Sequence, residues 1–438
     1  MEYNIFVTVR NSSSRMARAE QSNKIPRYPM RESIIFHIDV NSAYLSWTAL
    51  EKLHNGEEID LRQIPSIIGG DMSKRHGIVL AKSIPAKAYG ITTGEPVVNA
   101  FRKCPNLTMA APDHEMYSRR SRQLMEYLMS ICPDIEQVSI DECYMDYSPI
   151  MYHYDSPMEA ATFIKDTVYE KFGFTVNVGI SDRKVLAKMA SDFKKPNLVH
   201  TLFIKEIKDK LWPLPVSSLF MCGRSSVETL KKLGILTIGQ LAQADPHILE
   251  SHLKSHGITL WEYANGIDDS RVETRQERAK GIGNSTTLSS DVLTKEDAYP
   301  VLLALAESVS RRLRASHELA GNVCTEIKYA SFRSVSHQSA LTTPTASTDV
   351  IYHTACALFD ELWNGAPVRL LGIRTAKLVQ DSEPIQLSIF DMAAAKPKSE
   401  KEKKLDAALD AIRSRYGNDA VKRGSLLNSP NVISHDRD

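Results

Sequence analysis

The sequence lacks the features that mark secreted, membrane-spanning or zinc-binding proteins. Its six cysteines are scattered, with no CxxC pair and no metal-ligand spacing, so we expect reduced thiols. No apolar run approaches the ~20 residues that a membrane-spanning helix needs, and the N-terminus lacks the apolar core of a secretory signal. These absences predict a cytoplasmic protein without a membrane segment.

A strong net charge is missing as well. The formal charge of +1 indicates no partner by itself, and a nucleic-acid binder of this balance would need basic faces that acidic ones offset elsewhere. The hydrophobic content of 42% is ordinary for a globular protein. Because 438 residues are too many for a single hydrophobic core, we expect about three domains or more.

Hydrophobic periodicity predicts a mixed α and β region followed by a helical one. Residues 1–30 are polar and aperiodic, which predicts a disordered leader. Short helices are expected over 212–266, and a long helix further on has Leu302, Leu305, Val309 and Leu313 on one face. The first region predicts strands at 34–40, 66–69, 77–82, 136–140, 143–147 and 174–180, and helices at 42–54, 114–131, 157–171 and 181–193.

A carboxylate stands near the end of the first predicted strand. The run "IIFHIDV" places Asp39 after buried-type residues, and an unpaired buried charge costs several kcal/mol. The partner of Asp39 is therefore a basic side chain, a helix N-terminus or a metal ion, and this stretch alone does not distinguish them.

Two more carboxylates stand side by side in "EQVSIDECYMDYS". Neighbouring residues of a regular strand point to opposite faces, so Asp141 and Glu142 share a site only if the chain bends between two arms of a hairpin. An isolated pair of this kind usually has one acid in solvent and the other at a turn. Together with Asp39, however, three acids on one sheet would repel unless divalent cations neutralised them, and oxygen ligands suit Mg²⁺. Such a site serves two-metal phosphoryl transfer.

The two segments "HIDVNSAYLSW" and "VSIDECYMDYS" resemble the palm motifs of the Y-family translesion DNA polymerases, in the bacterial DinB/polymerase IV-like branch. The resemblance covers about residues 32 to 390. It implies an α+β multidomain fold, a right-hand polymerase with palm, fingers, helix-hairpin-helix thumb and little-finger domain. The implied boundaries are 31–42 and 113–198 for the palm, 43–112 for the fingers, 199–270 for the thumb, 271–281 for a linker, 282–380 for the little finger and 381–438 for a tail.

The same resemblance implies the chemistry of the site. Asp39, Asp141 and the carbonyl of Val40 would bind two Mg²⁺, and Glu142 would be the catalytic acid beside them and a further ligand. The implied reaction is error-prone, DNA-templated DNA synthesis in DNA repair, in which a primer 3′-hydroxyl attacks a dNTP. The alternatives are a non-catalytic DNA-binding accessory protein of the damage response and a palm-type nucleotide cyclase, which the weak "GGD" at 69–71 suggests.

Further residues are implied to hold the nucleotide. Tyr44 would lie under the sugar and exclude a 2′-hydroxyl, although the start of a helix also suits a core tyrosine. The first amides of that helix, Ala43 among them, suit a triphosphate. Lys87 in "SIPAKAYGI" and Lys195 in "DFKKPN" would contact the phosphates. Lys87 stands where the family has arginine, and Ile84 stands where it has tyrosine.

DNA contacts are implied in the thumb and the little finger. The segment "LFMCGRSSVETLKKLGILTIGQLA" resembles a helix-hairpin-helix, whose amides bind phosphates. It retains Gly223, has Met221 in place of the first glycine, and places Gly234 at a helix C-cap. The implied phosphate contacts of the little finger, each of which is otherwise a solvated surface charge, are Arg311, Arg312, Arg314, Lys328 and Arg333.

The tail carries a short peptide and an amphipathic pattern. The segment "PIQLSIFD" resembles the QLxLF peptide that docks on the sliding clamp, and the alternative is a final edge strand. The expected partners are primer-template DNA, dNTPs and the clamp, with the protein itself a monomer. The clamp-binding residues are Gln386, Leu387, Ser388, Ile389 and Phe390. A later helix carries a stripe formed by Leu405, Leu409, Ile412 and Tyr416, and this part of the tail is expected either to fold back on the enzyme or to bind another partner.

Overall fold

The structure is a computed structural model, and it describes residues 33–70, 77–275, 278–383, 400–417, 420–421 and 423–424. The predicted leader at 1–30 and the clamp peptide at 386–390 lie outside these residues, as does Asp71 of the "GGD" segment. None of the helices that the structure describes is long and apolar enough to cross a bilayer.

The fold is α+β and multidomain, as predicted, with three sheets and a separate helical unit. The strands are β1 (Ile35–Val40), β2 (Ser66–Gly69), β3 (Val79–Lys82), β4 (Thr108–Ala110), β5 (Ile135–Gln137), β6 (Glu142–Asp146), β7 (Val176–Ser181), β8 (Val199–Thr201), β9 (Gly283–Val292), β10 (Glu318–Tyr329), β11 (Ser334–Thr345) and β12 (Val368–Gln380). The α-helices are α1 (Ala43–His54), α2 (Ile84–Ala88), α3 (Val97–Lys103), α4 (His114–Ile131), α5 (Pro157–Phe172), α6 (Lys184–Ser191), α7 (Arg224–Lys232), α8 (Ile238–Ala242), α9 (Pro246–Leu253), α10 (Ser255–Ala264), α11 (Lys295–Ala315), α12 (Thr348–Leu362) and α13 (Glu400–Tyr416).

The first sheet, here called the central sheet, has the order β5-β6-β1-β7-β8. All six residues of β1 are buried, because this strand lies between two antiparallel neighbours and under helices that contribute Trp47 and Leu124 to the same core. The strands and helices predicted in this region are confirmed to within a few residues. One difference is β5, which ends early because the N–H groups of Val138 and Ser139 both turn back to the carbonyl of Glu142.

Helix α6 approaches the central sheet unusually closely at Gly179 of β7. A Cβ atom added there would lie 2.0 Å from the carbonyl oxygen of Ala187 and 2.5 Å from the amide nitrogen of Ser191, both on α6. No side chain fits into that space, so glycine is required where the helix lies on the strand. This contact sets how near the polar side chains of α6 come to the middle of the sheet.

Two smaller units lie outside the central sheet, one built on a three-stranded sheet and the other helical. The second sheet has the order β3-β2-β4, and α2 and α3 close a small core over it that contains Ile67 and Val97. The sequence predicted β2 and β3 but missed β4, α2 and α3, which are short and have little periodicity. The predicted helical unit is confirmed as α7 to α10, and Gly234 has a φ of +78° just after α7, as its C-cap assignment requires.

The third sheet, here called the C-terminal sheet, has the order β11-β10-β12-β9 and is antiparallel throughout. Helices α11 and α12 cover one of its faces. The predicted apolar face of α11 is confirmed, because Leu302, Leu305, Val309 and Leu313 are fully buried there. The opposite face of the sheet remains polar, with Glu326 and Arg374 exposed.

Helix α13 folds back onto the layer formed by α11 and α12, but not through its apolar stripe. Leu405, Ile412 and Tyr416 of the predicted stripe are exposed to 56%, 38% and 67%, and Leu409 is partly buried, so the stripe is not the main docking surface of the helix. Charged residues make the contact instead. Arg413 binds the buried Glu307 at 3.1 Å, and Arg314 binds Asp410 at 2.6 Å.

We expect Arg413→Ala to destabilise the C-terminal sheet and its helices. Among the described residues, Glu307, which is 3% exposed, would keep the 2.9 Å contact from Arg423, and breaking a buried ion pair costs about 3 kcal/mol. Thermal unfolding should show a lower midpoint than in the wild-type protein. The control is Arg415→Ala, because Arg415 is exposed on the same helix and lies over the Tyr416 ring. Equal midpoints for the two variants would contradict the role of the buried pair.

Candidate active site

The two carboxylates of Asp39 and Glu142 stand opposite each other on the central sheet. Asp39 of β1 is the direct cross-strand partner of Glu142 at the start of β6, and directly opposed residues of an antiparallel pair project to the same face. Asp39 is buried and Glu142 is partly exposed. Like charges in this position are destabilising, so the pair requires positive charge close by.

Asp141 lies in the predicted bend. Residues 139–141 form no strand, and the carbonyl of Asp141 accepts a 3.0 Å hydrogen bond from the N–H of Val40. The Ser139 hydroxyl donates to Asp141 Oδ1 at 2.7 Å. Because of this bend, the side chains of Asp141 and Glu142 need not point to opposite faces as they would in a regular strand, and the sequence predicted such a bend.

Two lysines supply the positive charge. The Lys195 ammonium contacts Asp39 and also lies 2.9 Å from Asp192. The Lys188 ammonium lies 2.6 Å from Glu142 Oε2. In this structure the partner of Asp39 is therefore a basic side chain, which is one of the three possibilities that the sequence left open.

The protonation states follow from burial and these contacts. Burial raises the pKa of Asp39, although the neighbouring Lys195 ammonium opposes the shift. The contact with His37, followed by the hydrogen bond and charge of Lys188, lowers the pKa of Glu142 to about 2. Burial lowers the pKa of His37. Glu142 is thus held as a carboxylate beside a neutral imidazole at neutral pH.

The donor atoms suit a hard divalent cation. Asp39, Asp141 and Glu142 offer carboxylate oxygens, and the carbonyl of Val40 points toward the same hairpin because its N–H bonds to Asp141. Oxygen-only donors favour Mg²⁺ over zinc or copper. Among the residues that the structure describes, no three His, Cys, Asp or Glu side chains lie together as a ligand cluster. The lysines occupy the carboxylates that a cation would use.

Tyr44 lies beside this site at the start of α1. Its ring stacks on that of Tyr117 with centroids 4.3 Å apart and planes 9° apart. Tyr117 is fully buried and its hydroxyl bonds Thr48 at 2.8 Å. Burial, and next the charge of Asp141, raise the pKa of Tyr44. Tyr44 is partly exposed, and one face of its ring is backed by Tyr117.

The other predicted nucleotide contacts are placed as follows. Ala43 is buried at the first position of α1, after Ser42 in the left-handed region at a φ of 48°. Lys87 is exposed on α2, and the exposed Ile84 makes no polar contact in the described part of the chain. Lys82 lies near Lys87, and burial and then the charge of Lys87 lower its pKa.

The helical hairpin departs from the expected geometry at one amide. Met221 has a φ of 68°, a left-handed conformation that favours glycine. The N–H of Gly223 donates to the carbonyl of Met221 at 3.0 Å, so this amide is already used within the turn. Open space lies in front of the Gly223 Cα. The following amides at the start of α7 remain the better candidates for phosphate.

The five predicted basic contacts fall into two groups. Arg311, Arg312 and Arg314 lie on α11, in the helical layer. Arg314 is engaged by Asp410 and by the carbonyl of Ala346 at 2.9 Å, so its guanidinium is held within the protein in this structure. Arg312 donates to the carbonyl of Gly283 at 3.0 Å. Lys328 and Arg333 lie on the β10–β11 hairpin, where Lys328 stands 5.1 Å from the centre of the exposed Phe332 ring.

Sequence reasoning missed His37 and Lys188, which hold Glu142. His37 is buried, with Nδ1 2.8 Å from the Ser191 hydroxyl and Nε2 3.4 Å from Glu142 Oε2. Lys188 lies in the predicted helix 181–193, seven residues before Lys195, but nearness in sequence alone does not mark it as a site residue. No local signal marks His37 or Tyr117.

Comparison with known proteins agrees with this geometry. Residues 38–192 match the impB/mucB/samB family, and residues 279–389 match the C-terminal domain of that family. The chain is 45% identical to the DNA polymerase IV of Clostridium acetobutylicum over 90% of this chain and 98% of the relative. It is 35% identical to DNA polymerase IV 1 of Bacillus subtilis over 91% of this chain and 94% of that protein.

A solved structure shows the same fold. A Y-family DNA polymerase chimera of Dbh and Dpo4 superposes with a TM-score of 0.68 at 21% identity, and the match covers 79% of this chain and 99% of the chimera. The paired acids of the central sheet, the family matches and this likeness of fold agree with one another. The chain therefore belongs to the Y family of translesion DNA polymerases, in the bacterial DNA polymerase IV branch.

Proposed function

We propose that in this polymerase Asp39, Asp141 and Glu142, with the Val40 carbonyl, hold two Mg²⁺ ions at the site of nucleotidyl transfer. The observation that carries the proposal is the cross-strand pair of Asp39 and Glu142, in which each carboxylate already requires an ammonium group. As a member of its family the chain is a DNA-directed DNA polymerase of translesion synthesis and DNA repair. When bound, the ions would activate the primer 3′-hydroxyl and neutralise the pyrophosphate leaving group.

The residues of the chain have separate roles in this reaction. The carboxylate of Asp39 is buried next to the start of α1, where the amides of Ala43 and Tyr44 have no partner one turn earlier in the helix and suit phosphate oxygens. Lys195 is the more exposed of the two site lysines and supplies a mobile charge for the triphosphate. Lys87 adds a second, exposed charge from the smaller sheet unit.

Sugar selection is assigned to Tyr44. A ring backed by Tyr117 at 4.3 Å cannot retreat when a substituent approaches its open face. A 2′-hydroxyl would occupy that volume, whereas the hydrogen of a deoxyribose fits. The stack with Tyr117 therefore favours a stiff steric gate over a tyrosine that serves only the core.

DNA contacts are assigned to the polar face of the C-terminal sheet, because α11 and α12 cover the other face. Lys328 and Arg374 project from the open face, and Arg333 lies at the β10–β11 hairpin. These cations would contact phosphates without reading bases. Arg311 and Arg312 lie on α11, in the helical layer on the other side of the sheet, and are weaker candidates. The start of α7 after Gly223 offers backbone amides from the helical unit.

The peptide Gln386–Phe390 is proposed to dock on the sliding clamp. It follows the last strand by a few residues, and its leucine, isoleucine and phenylalanine would fill an apolar groove. Tethering to a ring on DNA raises the local concentration of an enzyme that otherwise dissociates readily. We further propose that the protein acts as a cytoplasmic monomer. The cation requirement of the paired acids disfavours a non-catalytic accessory role.

Removal of one site carboxylate tests the catalytic assignment. Asp141→Ala should lower the rate of primer extension about 10³-fold, because charge stabilisation at the reacting phosphate is lost. DNA affinity in gel-shift titrations should not change, since the proposed phosphate contacts lie elsewhere. Glu170→Ala, which removes an exposed carboxylate from α5, should extend primers at the wild-type rate. Normal extension by Asp141→Ala would overturn the assignment.

Replacement of the gate residue tests sugar selection. Tyr44→Ala should insert ribonucleotides that the wild-type enzyme rejects, because the excluded volume disappears. The measurement is the ratio of rNTP to dNTP insertion in single-nucleotide assays, with dNTP insertion by the same variant as the control for activity. If the ratio does not rise, another residue excludes the 2′-hydroxyl.

A double substitution tests the clamp peptide. Leu387→Ala with Phe390→Ala should abolish stimulation of synthesis by the clamp and leave clamp-free extension intact, since neither side chain belongs to the active site. Ser382→Ala is the matched control, because Ser382 lies close to the peptide but outside it. Unchanged clamp binding by the double variant in a titration would show that the peptide has another role.

A further inference from the structure

Helix α6 presents a polar stripe to the central sheet. Lys184, Lys188 and Ser191 recur on one side of the helix, and each binds a residue of a different strand. Lys184 binds Glu136 of β5, Lys188 binds Glu142 of β6, and Ser191 binds His37 of β1. The side chain of Lys188 is only 14% exposed. A largely buried lysine with its ammonium on a carboxylate of the candidate site is not a solvated surface charge.

Lys188 engages one oxygen of Glu142 and not the other. Its Nζ lies 2.6 Å from Oε2, and His37 Nε2 approaches the same oxygen at 3.4 Å. Within the described ranges, Oε1 of Glu142 has no hydrogen bond or ion pair. The contact therefore selects a rotamer of Glu142 in which Oε2 binds other protein side chains and Oε1 is left for another ligand.

Lys188 differs from Lys195 in how far its side chain is exposed to solvent. The Lys195 side chain is 36% exposed and shares its ammonium between Asp39 and the exposed Asp192. Lys188 lies deeper, and its second carboxylate neighbour, Asp192, is 3.6 Å away. A nucleotide can draw Lys195 away from Asp39 without rearranging the fold, whereas Lys188 is more enclosed between α6 and the central sheet.

We propose that Lys188 is a positioning residue, which holds Oε2 of Glu142 so that Oε1 is the oxygen presented to the catalytic cation. The inference rests on the proposed two-metal function and adds a residue to it. Partners behind a metal ligand typically change metal affinity or activity by about 10–100-fold when they are removed. The shortest contact of Lys188 is with Glu142 and its other ion pair, with Asp192, is longer, so its effect is expected to pass mainly through Glu142.

The test compares two lysines of the same helix face. Lys188→Met removes the contact with Glu142, and Lys184→Met removes an ion pair of the same kind at 2.6 Å from a residue outside the site, Glu136. The first readout is the affinity for Mn²⁺, measured by electron paramagnetic resonance in a complex with a dideoxy-terminated primer and dNTP, in which no turnover occurs. The second readout is kcat and the KM for dNTP with Mg²⁺.

We expect Lys188→Met to weaken Mn²⁺ binding and to lower kcat, each by about 10-fold or more, with the KM for dNTP unchanged. Lys184→Met should change neither quantity, and Lys188→Arg, which keeps the charge and the donors, should recover part of the Mn²⁺ affinity. In a Glu142→Gln background, Lys188→Met should cause no additional loss of Mn²⁺ affinity. This pattern distinguishes a positioning role from a general loss of stability.

Two results would overturn the inference. One is equal Mn²⁺ affinity and kcat for Lys188→Met and Lys184→Met. The other is an Arg variant that folds, as judged by its melting midpoint, and yet binds Mn²⁺ no better than the Met variant. Failure of the proposed function is a separate result, since it would appear as a wild-type protein that does not extend primers with Mg²⁺.

Discussion

The active site depends on the repulsion between two carboxylates that the pairing of β1 with β6 places face to face. Asp39 and Glu142 are direct cross-strand partners, and β1 is buried along its whole length. The sheet cannot relieve this repulsion by a register shift, because a slip of one residue would turn the apolar side of β1 to the wrong face. Positive charge therefore has to come from outside the strands, and in this structure it comes from α6 and the segment after it.

The position of α6 is what makes this possible. Gly179 lies opposite His37 in the sheet, and the absence of a side chain there lets the backbone of α6 rest on β7. At that distance Lys188 reaches Glu142, and Ser191 reaches the imidazole of His37. The burial of His37, which lowers its pKa, keeps the imidazole from adding a permanent charge of its own. One glycine thus couples helix packing to the electrostatics of the acids.

The C-terminal helix shows how charge can replace apolar packing. The stripe of Leu405, Ile412 and Tyr416 is typical of a helix that docks through hydrophobic contact, yet these residues are exposed. Docking relies on Arg413 against a buried glutamate, and on Arg314 against Asp410. Burying Glu307 without a partner would be costly, so once α11 places this acid inside, the tail arginines become part of the fold. The same contacts hold the guanidinium of Arg314 within the protein.

The sequence by itself determined the features that depend on neighbouring residues. Local periodicity and turn chemistry predict the apolar run of β1, the bend at Asp141 and Glu142, and the start of α1 before Tyr44. The resemblance that these motifs carry was sufficient to place the chain in its family. Tertiary structure alone decided which side chains surround them. Lys188 meets Glu142 across 46 positions of sequence, and Arg314 meets Asp410 across 96. Contacts between such distant positions depend on how helices pack against sheets, and local periodicity does not encode that packing.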